Sequence, residues 1–520
     1  MIERIDPRLL HAANRIFLDY VTGTDTALGF FERAPGDVEA AADDRRSGAF
    51  PRTALAARLR TYNERLDAPR AVLEHIDTLE EPHSLCVIGG QQAGFLGGAL
   101  FTAYKALSVV RAASRLAERL RAPVVPVFWL ATEDHDLTEI NRIRTLDPSG
   151  NLRTISFDWD GRGRPIERLP ITPDVRAAAE EAFELFPPKY ASARDLFLPH
   201  SSDDYAMWHA RIWSRLFGAS GLILVEPRAI RDLAGPFFGR ALTSADQIGA
   251  ALAESGAALR AAEYAVPLDP ETAGGLFSFG DDGRRIRIAD PLSHAARAAE
   301  APTDYSPDAA LRPVLADALF PTIASIVGAA ELAYHAMLRP VYRLFGIPQP
   351  ILLPRPGYTL VTAPQAALLA RCGASVSDVL AGRFDAKAAA RSAVSADLLA
   401  LFAERKTSVR EALRPLYHRL EDLDPGLAAR WRQTVDRIEE QIDRLEERAV
   451  RADSARSGVS LRALRRLDVE IRPAGRPQER VLSLIHVAAR DGLSWLAGLE
   501  SPPDPGEYAH YAVTVGGSDE

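Results

Sequence analysis

Five short apolar runs, at residues 85–88, 124–131, 222–225, 322–327 and 351–353, constrain the fold of this 520-residue chain more than any other feature. Each suits a buried strand, and the run at 124–131 is apolar enough to be covered on both faces, as strands of a parallel sheet are. The connection from 99 to 121 is helical. Its Leu100, Ala103, Leu107, Val110, Ser114 and Ala117 recur at spacings of three and four, over a length that permits a right-handed crossover. A βαβ repeat follows, and with it an α/β fold class with a parallel-sheet core. Two segments break the alternation and read as inserts. Residues 151–170 predict a hairpin around Asp160-Gly161-Arg162-Gly163, and residues 249–310, containing LFSFGDDGRRIRI, predict another at Asp281-Asp282-Gly283.

Beyond Gly357 the composition shifts to alanine, arginine, glutamate and leucine. Residues 376–420 and 426–456 each read as one long helix, separated by Pro425-Gly426, with Trp431, Val435, Ile438, Ile442 and Leu445 along the seam of the second. Two such helices form a long antiparallel α-helical coiled-coil arm whose apolar seam needs another surface, so the expected partner is a second copy, in a homodimer. The tail returns with GRPQERVLSLIHVAARDGLSWL at 475–496, where Pro477 suits a helix start. The expected organisation is a core over 1–374, with inserts near 151–170 and 249–310, an arm over 375–474, and a C-terminal helix within 475–520 that packs back on the core or the arm base.

Composition narrows the function. With 47% hydrophobic and 25% charged residues the chain is an ordinary globular protein, and its net charge of −8 argues against nucleic acid as a partner. Only Cys86 and Cys372 occur, too few for a disulfide framework or a thiolate-rich zinc site. The N-terminal MIERIDPRLLHAANRIF is unlike a secretory signal, and no apolar stretch has the length of a membrane span. A cytoplasmic protein without membrane contact, acting on small molecules, is expected.

Two segments carry the chemistry. The first, IGGQQAGFLGGALFTAYK at 88–105, reads as a glycine-rich turn opening onto a helix, in which Gly90, Gly94 and Gly97 permit close approach of a ligand to backbone N–H groups. Gln91 and Gln92 add uncharged donors and acceptors there. Lys105, some two turns into the helix, reads equally as a surface lysine or a phosphate-neutralising one, and Tyr104 as a core residue whose hydroxyl reaches toward the cleft. The second segment, FWLATEDHDLTEIN at 128–141, sets Glu133, Asp134, His135 and Asp136 just past a buried strand, where ligands sit in open parallel sheets. His135 is the natural proton carrier, Asp134 or Asp136 could hold a substrate ammonium, and Asn141 caps or binds. Neighbouring residues on one strand end diverge, and no two-histidine motif is present, so no metal site is predicted. Glu331 and Tyr334 follow the fourth apolar run. Arg355 follows the fifth and could grip a carboxylate or phosphate, or pair with a carboxylate such as Glu331.

Taken in order, GGQQAGFLGGALFTAYKALS, PVFWLATEDHDLTEIN, SRLFGASGLILVEP, ELAYHAMLRPVYRLFGIPQPILLPR and GRPQERVLSL resemble the cysteine-adding enzymes of bacillithiol biosynthesis, the BshC family, across nearly the whole chain. One departure is VGAAELAY at 327–334. It keeps Gly328, Glu331 and Tyr334 of a family stretch resembling GGPGEIAY but loses other glycines. The resemblance implies a Rossmann-like core related to class I aminoacyl-tRNA synthetases and nucleotidyltransferases, with connecting inserts and a coiled coil that mediates dimerisation. It implies a ligase that joins L-cysteine to glucosaminyl-malate by an amide bond. By analogy of fold, ATP or another nucleotide would activate the cysteine carboxylate. The synthetase signatures H-I-G-H and K-M-S-K-S are absent, and Glu404-Arg405-Lys406-Thr407-Ser408 lies inside an arm helix. The alternatives are a metal-dependent amino-sugar deacetylase or hydrolase acting through the acidic cluster, and a non-catalytic coiled-coil scaffold.

Overall fold

The computed structural model describes residues 2–147, 149–161, 163–456, 458–499 and 507–515. The five apolar runs are strands of one parallel sheet, β1 (Leu85–Gln92), β2 (Val124–Ala131), β3 (Ile223–Val225), β4 (Thr322–Val327) and β5 (Ile351–Pro354), in the spatial order β5-β4-β1-β2-β3. The chain moves outward from β1 to β3, then restarts on the other side with β4. The direction of winding therefore reverses between β1 and β4, which is where open sheets of this kind leave a crevice at their C-terminal edge.

All eight residues of β2 are buried, because the sheet is covered on both sides. On one face Cys86, Ile88, Val125, Val127 and Trp129 share a core with Leu55, Leu59, Val72 and Ile76 of the N-terminal helices. On the other lies α1 (Leu100–Leu120), so close that a Cβ on Gly89 would fall 2.5 Å from a methyl of Val109.

The structure corrects three local readings. The glycine pair is not a turn. β1 runs on through it, with Gly89, Gly90, Gln91 and Gln92 in register with Phe128, Trp129, Leu130 and Ala131. The first hairpin also lies earlier than expected. It joins Arg142–Leu146 to Leu152–Ser156, with the Asp147 carboxylate accepting the Asn151 N–H at 2.9 Å across the connection. The Asp-Gly pair at 160–161 makes only a loop turn, Arg164 N–H to Gly161 O, and Arg162 lies outside the described residues. Finally, residues from 249 do not begin an excursion, since the helix Ala245–Ala261 buries Ile248, Leu252 and Leu259 in the main core. The hairpin in that region is real. Leu276–Phe279 pairs with Arg285–Arg287 across Asp281-Asp282-Gly283, and Tyr305–Pro307 adds a third strand.

The chain divides into two compact units. The first comprises Met1–Leu146, Leu152–Thr359 and Gln478–Val513. Its C-terminal segment is tied in by Leu100 N–H to Leu482 O and Ser483 N–H to Arg144 O, both 3.0 Å, and by antiparallel pairing of His510–Val515 with Ile2–Ile5. The second unit holds the arm. Residues 376–420 are not one helix but three pieces, Val376–Leu380, Ala386–Ser392 and the start of α3 (Ala396–Leu423). Gly382 at φ +71° and the capping side chains of Asp385 and Ser395 impose the breaks. After Asp424 the chain doubles back as α4 (Pro425–Arg456). Lys406 pairs with Glu446 at 2.6 Å and Arg410 with Glu439 at 2.7 Å, the descending register of an antiparallel helical pair. Among the described residues no helix is long and apolar enough to cross a membrane.

Candidate functional site

Past the C-terminal ends of β1 and β2, Gln92 and Asp134 meet: the amide of Gln92 donates to the Asp134 carboxylate at 2.9 Å. This bond joins the glycine strand to the acidic run. Asp134 also accepts its neighbour's backbone N–H, from His135, at 2.8 Å. Burial alone would raise its pKa, but these two bonds with the charges of Arg285 and Arg312 hold it below the ordinary value. His135, with 40% of its side chain exposed, sets Nδ1 3.4 Å from Arg285 Nη1 and 3.9 Å from Asp134. Arg285 comes from the second hairpin, where it lies over the Phe277 ring at 4.1 Å and donates to Ser306 Oγ at 2.9 Å. Glu133 is 1% exposed, and neither of its carboxyl oxygens has a hydrogen-bond partner. Burial pushes its pKa up, against the pull of Arg312, Arg231 and Arg285.

Asp136 and Asn141 do local structural work instead. Asp136 caps the short helix Leu137–Ile140, accepting the Thr138 N–H at 2.9 Å and its hydroxyl at 2.6 Å. Asn141 is buried and donates to Phe157 O at 3.0 Å.

At the reversal point between β1 and β4, Lys105 is not a surface residue. Only 2% of its side chain is exposed, and its ammonium donates to Gly90 O and to both Glu331 oxygens, each at 2.6 Å, with Gln91 Oε1 at 3.4 Å. Glu331 opens helix α2 (Ala329–His335) and also accepts the Gly328 N–H at 2.6 Å. Burial would raise the Glu331 pKa, but Lys105 and that N–H hold it down; burial pushes Lys105 down, partly offset by Glu331. The pair fastens the strand that ends in Gln91-Gln92 to the helix after β4. Tyr334, one turn on in α2, stacks on His335, and burial followed by the Glu331 charge lifts its hydroxyl to about 12.

Arg355 and Tyr104 are committed elsewhere. The Arg355 guanidinium is 4% exposed and bidentate on Glu479, at 2.6 and 3.1 Å, so its partner is not Glu331 and no fork is left for a ligand. Tyr104 is fully buried against Tyr358, with an unpartnered hydroxyl.

The distal glycines pack. Gly94 O accepts from His209 Nδ1 at 3.0 Å, a tautomer set by Trp213 Nε1 donating to His209 Nε2 at 2.9 Å. Gly97, at φ +85°, has Leu484 3.2 Å from where a Cβ would stand. Residues Phe95–Gly97 are buried, and the Leu100 N–H at the head of α1 is taken by Leu482 O. The expected open helix end is closed by the protein's own chain.

Sequence reasoning missed Arg285 and Arg312, whose charges act on Glu133 and Asp134. Arg285 stood within GDDGRRIRI, but no local pattern marks a lone arginine as part of a site assembled from distant segments. Among the described residues no group of three or more His, Cys, Asp and Glu side chains is arranged to hold a metal ion.

A reversed-order parallel sheet with a cluster of charged side chains at its switch point, followed by paired long helices, defines a Rossmann-like protein with a coiled-coil domain. Residues 4–356 match the family described as Bacillithiol biosynthesis BshC, N-terminal Rossmann-like domain, and residues 358–515 match its C-terminal coiled-coil domain. The chain belongs to the BshC family of bacillithiol biosynthesis. It is 30% identical to a Geobacillus thermodenitrificans protein named "Putative cysteine ligase BshC", over 97% of this chain and 99% of the relative. A like-named Geobacillus kaustophilus protein is 30% identical over 97% and 98%, and one from Salinibacter ruber 28% identical over 98% of both.

Proposed function

We propose that this protein is a ligase that joins the carboxylate of L-cysteine to the amine of glucosaminyl-malate, forming the amide bond that completes bacillithiol, in the cytoplasm. The observation that carries the reading is the Gln92–Asp134 hydrogen bond, which makes one crevice of the two segments richest in chemistry. Asp134, kept ionised, binds a substrate ammonium; Gln92 orients that carboxylate; His135, at the exposed edge beside them, takes up the proton the attacking amine loses.

Condensation of a carboxylate with an amine is uphill in water, and a bound nucleoside triphosphate would supply the activation. The crevice suits such a polyanion on its arginine side, where Arg312 and Arg285 lie, and not on its glycine side, where Phe95–Gly97 and the Leu100 N–H are already engaged. Gln91, Glu331 and Tyr334 border the same reversal point and complete the substrate wall. Incubating the purified protein with cysteine, glucosaminyl-malate and ATP should give the conjugate by mass spectrometry, with Asp134→Asn and His135→Ala reducing its rate at least about a hundredfold. Folded protein that forms no conjugate with any nucleoside triphosphate would defeat the proposal.

The arm supports a homodimer reading. Ile438, Ile442 and Leu445 line an open groove of about 470 Å³ on α4, and Leu445 is 58% exposed. Light scattering should report a dimer for the intact chain and a monomer for Ile438→Lys/Leu445→Lys.

A further inference from the structure

The cations around the reversal point do not balance. Lys105 is matched by Glu331, Arg355 by Glu479 and Arg231 by Glu167, while Arg285 has Asp134 at 4.0 Å. Two guanidiniums remain. Arg312, at the start of the helix Leu311–Leu319, is hydrogen-bonded to the Tyr334 side chain but has no carboxylate within ion-pair distance among the described residues, although its charge is felt by Glu133, Asp134 and Glu331. Arg480 is more isolated. It makes no hydrogen bond or ion pair among the described residues and lies over the Phe101 ring at 5.2 Å; the carboxylate charges that reach it are first that of Glu479, already engaged by Arg355, and then that of Glu331. Both side chains are half-buried, so each charge has lost part of its hydration without gaining a carboxylate to balance it. The one acid near Arg312 that lacks a partner, Glu133, is itself pushed toward its neutral form by burial, which leaves the local excess positive in a chain whose overall charge is −8.

We propose that Arg312 and Arg480 are the two jaws of a subsite for a small dianion, a dicarboxylate or a phosphate, bound across the mouth of the crevice above the Lys105–Glu331 pair. This rests on reading the crevice as the substrate site. Guanidinium forks suit both oxyanions, and stacking on Phe101 holds the Arg480 plane without consuming its N–H groups. Lys105 cannot serve in their place, because its donors are already spent on Gly90 and Glu331. The two sources of such a group in the proposed reaction are the malyl end of the amino-sugar substrate and the phosphates of the nucleotide.

Calorimetric titration of the full chain with malate, and separately with pyrophosphate, tests this without any turnover. Loss of ligase activity and loss of the anion site are thereby separable. The wild type should bind at least one of the two, and which one names the source. Arg312→Gln and Arg480→Gln should each weaken that binding by about tenfold or more, while Arg70→Gln, on an exposed arginine, should not. Should a variant fail to fold, phenylglyoxal labelling of the wild type mapped by peptide mass spectrometry answers the same question. Arg312 and Arg480 should be modified in the free protein and protected by the bound anion. No binding of either anion, or labelling of both arginines unaffected by a bound anion, overturns the proposal.

Discussion

Replacing Lys105 separates a structural clamp from a chemical lysine. In Lys105→Met the Gly90 carbonyl loses a 2.6 Å donor, and the Glu331 carboxylate loses both of its contacts with the ammonium, keeping only the Gly328 N–H. With the lysine side chain 2% exposed and the glutamate 26%, water cannot easily replace what is removed. Breaking a buried pair from one side costs about 3–5 kcal/mol. Glu331→Gln keeps the shape and an acceptor for Lys105 but strands the ammonium charge, at about 2–3 kcal/mol. The double variant removes both charges together, so its cost should fall short of the sum of the singles by about 2 kcal/mol. Urea unfolding followed by fluorescence of Trp129, Trp208 and Trp213, all buried in the first unit, measures all three. If Lys105→Met lost conjugate formation while its unfolding free energy stayed within about 0.5 kcal/mol of wild type, the clamp argument would be refuted and the lysine would belong to the chemistry.

Acid should destabilise the first unit over a defined window. His11, His209, His335 and His510 are all lowered to about 4 by burial, so in the folded protein they stay neutral while the unfolded chain takes up protons as pH falls below the ordinary 6.5. At these four sites the unfolded state binds more protons throughout this range, offset in part at Glu226, whose carboxyl burial raises to about 7 in the folded protein. Stability is therefore intact above pH 6.5 and is lost as pH falls toward 4, by up to about 3 kcal/mol per histidine. Melting temperature against pH, with proton uptake on unfolding near pH 5, checks it; a flat profile between 6.5 and 4 contradicts it. Gly89→Ala should cost about 1–3 kcal/mol because the new methyl meets Val109 at 2.5 Å, and Val109→Ala should restore part of that loss in the double variant. Equal costs with and without Val109 would show that the strain lies elsewhere.

What the sequence disclosed and what it hid divide along a physical line. The strands were legible because a sheet covered on both faces demands unbroken apolar runs, and a run such as 124–131 has few other uses. The acidic run was legible as a site because a charge cluster following such a strand is forced to the sheet edge. The glycine pair misled. Gly89 is needed because α1 lies against it, yet in sequence a glycine introduced for close packing looks the same as one introduced for a turn. Lys105 was ambiguous because every residue from Thr102 to Val109 is buried, so the helical period marks no solvent face there. The engagement of Arg355 is hidden in the sequence for a deeper reason. Its carboxylate, Glu479, lies 124 residues further on, within a segment that reads only as a helix start. The anion subsite belongs to this last class. Arg312 and Arg480 come from a helix outside the sheet and from the returning C-terminal segment; Arg312 stands in no motif, and the GRPQERVLSL stretch that holds Arg480 does not mark that arginine as a ligand. They become visible only by counting which buried charges are matched, and that count requires the fold.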